Sequence, residues 1–487
     1  MADTLWQQQS KEASFLHSAL TVENRYQSLT TFLQWFEQRK TENHFVVTPI
    51  PFADSPDWSF DASYKRLQHR SGKFFSIEGI RAQTNYGGVP EWDQPIINQP
   101  EIGILGIVTR VVEGVRYCLM QAKMEPGNIN TLQLSPTVQA TKSNYTKVHQ
   151  GKTPPYLEYF VLPGKAHILV DQLQSEQGSR FLQKRNRNMI VEVAEEIPLY
   201  EEFCWLTLGE IKELLKIDNL VNMDSRTVLS CIPFFPQEWR FYNQIPAAQE
   251  AVDSAFASFL AEFSRRLFYS MLDQQGARYT LDEIISWFTH IKTSSEMCVQ
   301  TVSLPDLRQW QVTAWDIHHV TQQYFSVIAV AVEAGNREVG GWTQPLLKHV
   351  GCGIVGFLTQ PINDTLHFLV HAVLEPGNRD LIEMGPTVAC SEPERQRQMA
   401  ENIPFLSYFL QPKPGTVRYT AVQSEEGGRF YHFQNQYMIL ELPEGEIQTL
   451  PPNYMWLTLG QIIDFMKYSY FNIEARNLLS CLNFLNG

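Results

Sequence analysis

Apolar and polar residues alternate along Cys118–Glu125. Cys118, Met120, Ala122 and Met124 fall on one side, and Leu119, Gln121, Lys123 and Glu125 on the other. A period of two is that of a β-strand, so the first set backs onto a core. The second set carries an amide, an ammonium and a carboxylate in a row and ends at a Pro-Gly-Asn turn. The apolar run Ile102–Val112, the turn residues Glu113-Gly114 and the run Val115–Met124 together read as a β-hairpin. Further strands are expected at Thr131–Ala140, Tyr159–Leu162, Ala166–Leu173 and Met189–Val193. Helical spacing surrounds Trp35-Phe36. Thr207 with Glu210 fits a capping box that opens another helix, and a second short helix leads to Cys231.

The whole pattern then repeats. CLMQAKMEPGNINTLQLSPT (Cys118–Thr137) returns as FLVHAVLEPGNRDLIEMGPT (Phe368–Thr387), QSEQGSRF (Gln174–Phe181) as QSEEGGRF (Gln423–Phe430), and WLTLG occurs at both Trp205 and Trp456. Trp92 matches Trp342 and Arg226 matches Arg476, with every offset between 249 and 252 residues. Such self-similarity marks a tandem duplication of one α+β fold with mixed or antiparallel sheets, since no βαβ rhythm is present. The expected division is a first repeat over 1–232, a Pro-rich connector and helix over 233–262, and a second repeat over 263–487. In Ala247–Leu272, Val252, Phe256, Phe259, Leu260, Phe263 and Leu267 recur at helical spacing, suited to core packing or to a dimer face.

Composition narrows the class. The 487 residues are 44% hydrophobic and 19% charged, with net charge −13. That balance offers no footprint for nucleic acid or an anionic membrane. Seven scattered cysteines without zinc spacing suit a reduced compartment, no apolar run approaches a membrane span, and a cytoplasmic protein is expected.

No standard catalytic signature is present, so candidate residues come from differences between the copies. Gln121 and Lys123 become His371 and Val373. The donor-rich QATKSNYTKVHQGK (Gln139–Lys152) becomes the charged ACSEPERQRQMAEN (Ala389–Asn402). A lysine on an alternating strand is solvated by default, yet valine at its counterpart shows that the position tolerates burial. His149 is a surface histidine or a proton carrier, and Tyr145 a packed aromatic or a proton donor. Glu125 and Glu375 persist before the same turn, as turn acceptors or as catalytic carboxylates. Arg180 and Arg429 suit a salt bridge or a phosphate, and Trp92 and Trp342 a core or a base-stacking platform.

Taken together, EWDQPIINQPEIGILGI (Glu91–Ile107), Leu119–Lys152, QSEQGSRF and the paired WLTLG resemble the NDP-hexose 2,3-dehydratases of deoxysugar biosynthesis, over essentially the whole chain. The resemblance implies two Nudix-like repeats in a homodimer, with one catalytic pocket and one remnant per chain. The implied substrate is dTDP-4-keto-6-deoxyglucose, which loses its C3 hydrogen and C2 hydroxyl to give a 3,4-diketo-2,6-dideoxy sugar for a partner ketoreductase. No cofactor is implied, and the Nudix hydrolase box is absent from both copies, which argues against diphosphate hydrolysis. Lys123, Tyr145 and His149 are then expected to share the roles of base, acid and oxyanion donor, with Glu125 beside them. Trp92, Gln121, Asn128, Asn144, Arg180 and Arg226 would hold substrate in the first copy, and Trp342, Arg429 and Arg476 would line the second pocket. The competing reading is a nucleotide-sugar binding protein without catalysis, in which neither copy needs proton-transfer groups.

Overall fold

The computed structural model describes residues 10–62, 65–141, 154–235, 262–272, 276–335, 340–390 and 403–485. Among them are ten α-helices and four sheets, so the fold is α+β with mixed sheets. Each copy contributes a seven-stranded sheet around the expected hairpin. Gly103–Val112 pairs antiparallel with Val115–Met124 and parallel with Arg185–Glu192. Cys352–Ile362 pairs likewise with Thr365–Leu374 and Gln434–Glu441. Both hairpin turns place two residues in the left-handed region, Glu113-Gly114 and Asn363-Asp364, as the twist of a two-residue connection demands. Cys118, Met120, Ala122 and Met124 enter one core as their alternation predicts. Thr207 and Thr458 each close a complete capping box.

Two expectations need correction. Tyr159–Leu162 is not a strand: Glu158–Val161 forms one helical turn, because Phe160 packs onto Gly106, where even a methyl group would stand 2.3 Å from its ring. The run Thr131–Ala140 is broken into Leu132–Ser135 and Val138–Ala140. In the helix Glu262–Leu272, Phe263 and Leu267 are buried in the core. Val252, Phe256, Phe259 and Leu260 lie outside the described residues.

The two copies exchange strands. Phe45–Ile50 of the first adds to Ser326–Ala334 of the second over six residue pairs, and Met297–Val302 of the second adds to Ser76–Thr84 of the first. The Glu-Pro-Gly-Asn turns cross over as well. Gly127 N–H donates to Gly427 O at 2.7 Å and His432 N–H to Gly127 O at 2.8 Å, while Gly377 N–H donates to Gly178 O at 2.7 Å and Gln183 N–H to Gly377 O at 2.7 Å. Phe181 and Phe430 meet between them, 5.9 Å apart and edge to face. Turn and strand of one copy are thereby fixed against the Gly-Arg-Phe or Ser-Arg-Phe segment of the other.

Candidate active site

This crossing decides which side chains share a site. The first cluster starts from Lys123, whose ammonium hydrogen-bonds Gln139 and sits 3.1 Å from Glu125 Oε1. Gln139 Nε2 donates to the same carboxylate at 3.0 Å, while Glu125 Oε2 has no hydrogen-bond partner among the described residues. The opposite wall is the second copy's Glu426–Arg429. A side chain at Gly427 would stand 2.1 Å from Asn128 Oδ1, and one at Gly428 would stand 2.8 Å from Glu426 Oε1 and 3.9 Å from Glu125 Oε1. Arg429 donates to Gln99 Oε1 at 3.1 Å and lies over the Phe75 ring at 4.1 Å. Trp342 Nε1 donates to Gln344, which in turn holds Gly428 O at 2.8 Å. Glu426 is held above the ordinary carboxylate range. Burial is the main cause, opposed by Arg429 and reinforced by Glu125, with Lys184 and Lys123 also facing it. Asp224 is raised further, again first by burial and then by Glu426 and Glu125.

The second cluster has the same skeleton with other chemistry. It surrounds a cavity of about 730 Å³ lined by Trp92, Arg180 and Arg308 on one side and His371, Val373 and Glu375 on the other. Trp92 donates to Gln94, which holds Ser179 O at 2.7 Å, and Arg180 lies 4.4 Å over the Phe325 ring. His371 stacks on Tyr454 at 4.3 Å, and burial pushes it down to about 4, so it is neutral near pH 7. The Asn453 amide lies 2.9 Å from its Nε2, so the acceptor nitrogen is the one turned to Asn453. Glu375 is raised by burial, against Arg180, the Gly178 N–H and the Ser179 hydroxyl. Arg308 joins Glu91 and the buried Asp93 at 2.6 and 2.7 Å on the rim.

Trp92 and Arg180 therefore do not stand with Lys123, as expected from the first copy alone. They face His371 and Glu375, while Trp342 and Arg429 stand on the Lys123 side. Arg226 and Arg476 are also corrected. Both are fully buried, Arg226 donating to Val221 O, Gln423 and Ser424 O, and Arg476 to Phe471 O, Thr227 and Ser175 O. These guanidiniums clamp one copy to the other and present no face to a ligand. Asn128 is buried, with its amide donating to Thr131 O at 3.1 Å, and so braces its own turn. Gln121 is half-buried on the strand. Asn144, Tyr145 and His149 lie outside the described residues. Glu426, Asp224 and Lys184 were missed. The pairing of QSEQGSRF with QSEEGGRF held the signal for Glu426, since Gln177 and Ser179 become Glu426 and Gly428.

The profile of the NDP-hexose 2,3-dehydratases matches residues 29–232 and 281–482. The chain belongs to this family. A dTDP-4-dehydro-6-deoxy-α-D-glucopyranose 2,3-dehydratase of Saccharopolyspora spinosa is 45% identical over 473 residues, 97% of this chain and 94% of that one. An enzyme of the same name from Amycolatopsis orientalis is 40% identical over 96% and 92% of the two chains. One from Streptomyces violaceoruber is 41% identical over 93% and 97%. The dehydratase is thus a hydro-lyase by family. No helix among its described residues is long and apolar enough to cross a membrane.

Proposed function

We propose that this dehydratase removes water across C2 and C3 of dTDP-4-keto-6-deoxyglucose, and that the chemistry takes place at the Lys123 cluster. The C4 ketone acidifies the C3 hydrogen, so a base takes that proton and leaves an enediolate. Collapse of the enediolate reforms the C4 carbonyl, makes the C2–C3 double bond and breaks the C2–O bond, and the departing hydroxyl takes a proton from a positioned acid and leaves as water. The resulting enol ketonises to a 3,4-diketone. Lys123, Tyr145 and His149 supply the base and the donors that hold the developing negative charge at C4, where fixed donors contribute much of the rate. Arg429 and Trp342 take the diphosphate and the base, the roles first given to Arg180 and Trp92, and Gln121 and Asn144 orient the sugar.

One observation carries this reading. Lys123 and Gln139 converge on Glu125 across from Arg429, whereas the second cluster has Val373 and Ala389 at the corresponding positions. The second cavity then binds the nucleotide-sugar without turning it over. The Nudix-like assignment of each repeat and a homodimeric assembly belong to the same proposal. So does a ketoreductase as the next enzyme, because a vicinal diketone is reactive and its simplest disposal is reduction.

The test is the formation of dehydrated product from the 4-keto sugar. Lys123→Met is expected to slow turnover by about a hundredfold or more, and Arg429→Gln to raise KM for the nucleotide-sugar. If Arg180→Gln abolishes turnover while Lys123→Met and Arg429→Gln leave it intact, the reaction belongs to the other cluster. Two dTDP binding events in calorimetry of Lys123→Met are expected; a single event would remove the second binding cavity.

A further inference from the structure

Within that reading, the comparison of the two clusters isolates one more group. The segment that carries the phosphate-binding arginine differs at two nearby positions. In the second cluster Gln177 donates to Glu425 Oε2 at 2.8 Å, and the Ser179 hydroxyl bonds Glu375. In the first, the same places hold a carboxylate and no side chain, Glu426 and Gly428. Two neutral donors that satisfy carboxylates are thus exchanged for a second acid over an open glycine. Glu426 Oε1 and Glu125 Oε1 both approach the point where a Gly428 side chain would stand, at 2.8 and 3.9 Å.

Substrate chemistry says what an acid in this place can reach. The diphosphate is attached at C1, so C2 is the first ring carbon beyond the phosphate contact, and C3 and C4 lie farther on. Glu426 and Arg429 are opposite ends of one tight turn, in which Arg429 N–H donates to Glu426 O at 3.1 Å. A diphosphate held by Arg429 therefore brings C2 to Glu426, and leaves C3 and C4 to groups on the Lys123 wall. We propose that Glu426, supplied by the second copy, is the catalytic acid that protonates the departing C2 hydroxyl.

The step balances. The Glu426 O–H proton goes to the C2 oxygen, and the C2–O bond breaks with its electron pair, releasing water. The enediolate electrons form the C2–C3 double bond and restore the C4 carbonyl. Glu426 remains as a carboxylate and regains a proton from solvent before the next cycle. The carboxylates that face it, Glu125, Asp224 and Glu176, favour its protonated form, while Arg429, Lys184 and Lys123 oppose it.

Glu426→Gln installs the side chain that the second cluster already carries, and is the deciding variant. In deuterated solvent it is expected to keep exchanging the C3 hydrogen of the 4-keto sugar, while water release falls about a hundredfold or more. The retained exchange itself reports a folded site with a working base. The wild-type kcat should fall at alkaline pH as the acid ionises, and the variant should lack that limb. A variant that releases water at the wild-type rate overturns the assignment, as does one that loses exchange and water release together. If the variant fails to fold, the wild-type profile decides, and a kcat that does not fall at alkaline pH overturns it. Wild-type protein that releases no water overturns the functional reading and this assignment with it.

Discussion

Glu210 shows how one buried carboxylate can make stability depend on pH. It closes the capping box at Thr207 by accepting the Thr207 N–H at 2.9 Å, and it also takes an Asn24 amide hydrogen at 2.6 Å. Burial outweighs these donors and pushes it up to about 7 from 4.5. The folded chain then binds more protons than the unfolded one between those values. Its contribution is complete below about pH 4.5 and is lost as pH rises through about 7. Gln461 closes the matching box in the second copy without a charge. Glu210→Gln should therefore keep the helix and flatten the decline of the urea midpoint across that window. An unchanged slope would assign the pH dependence to other buried acids. At this scale the sequence was informative where alternation sets a face, as at Lys123, and silent where a partner comes from the other copy. Nothing in the spacing around Arg226 distinguishes a guanidinium aimed at phosphate from one enclosed by Gln423 and Ser424 O.

Hairpins, capping boxes and turns were legible because each is set by neighbours a few residues apart. The short helix Glu158–Val161 was not, since Glu-Tyr-Phe-Val favours a strand until Phe160 finds the bare surface of Gly106. The Glu-Pro-Gly-Asn turn was legible as a turn, though its glycine serves a different purpose. Gly127 is needed for close approach: a methyl group there would lie 1.5 Å from Phe430 O, and at Gly377 the corresponding gap to Phe181 O is 1.9 Å. Backbone on both sides leaves no side chain to move aside. Gly127→Ala should cost about 3 kcal/mol or more, at the upper end of single substitutions. It should lower the urea midpoint and, by displacing Glu426 and Arg429 from Glu125, reduce turnover as well. A midpoint within error of wild type would mean that the crossing contact is dispensable.

Duplication was readable from the offsets, but the exchange of strands was not, because a strand's sequence states its face and not its partner. Phe45–Ile50 and Met297–Val302 each complete a sheet that belongs to the other copy, and one hydrophobic core takes residues from both, from Phe15 to Phe484. Each half alone would expose the edge of Ser76–Thr84 or Ser326–Ala334 and leave Arg226 or Arg476 without the acceptors that the other copy supplies, with only Val221 O or Phe471 O remaining. Each would also lack one wall of both sites, since Lys123 and Glu426 come from different copies, as do His371 and Arg180. Fragments 1–235 and 236–487 made separately should therefore be insoluble or unfolded. Produced together they should copurify and form dehydrated product. Arg226→Met in the first fragment should weaken that association, because it removes the donors to Gln423 and Ser424 O on the second. A fragment that folds cooperatively alone, or a mixed sample that is active without a complex, would show that the repeats are independent and that the crossing is packing between finished domains.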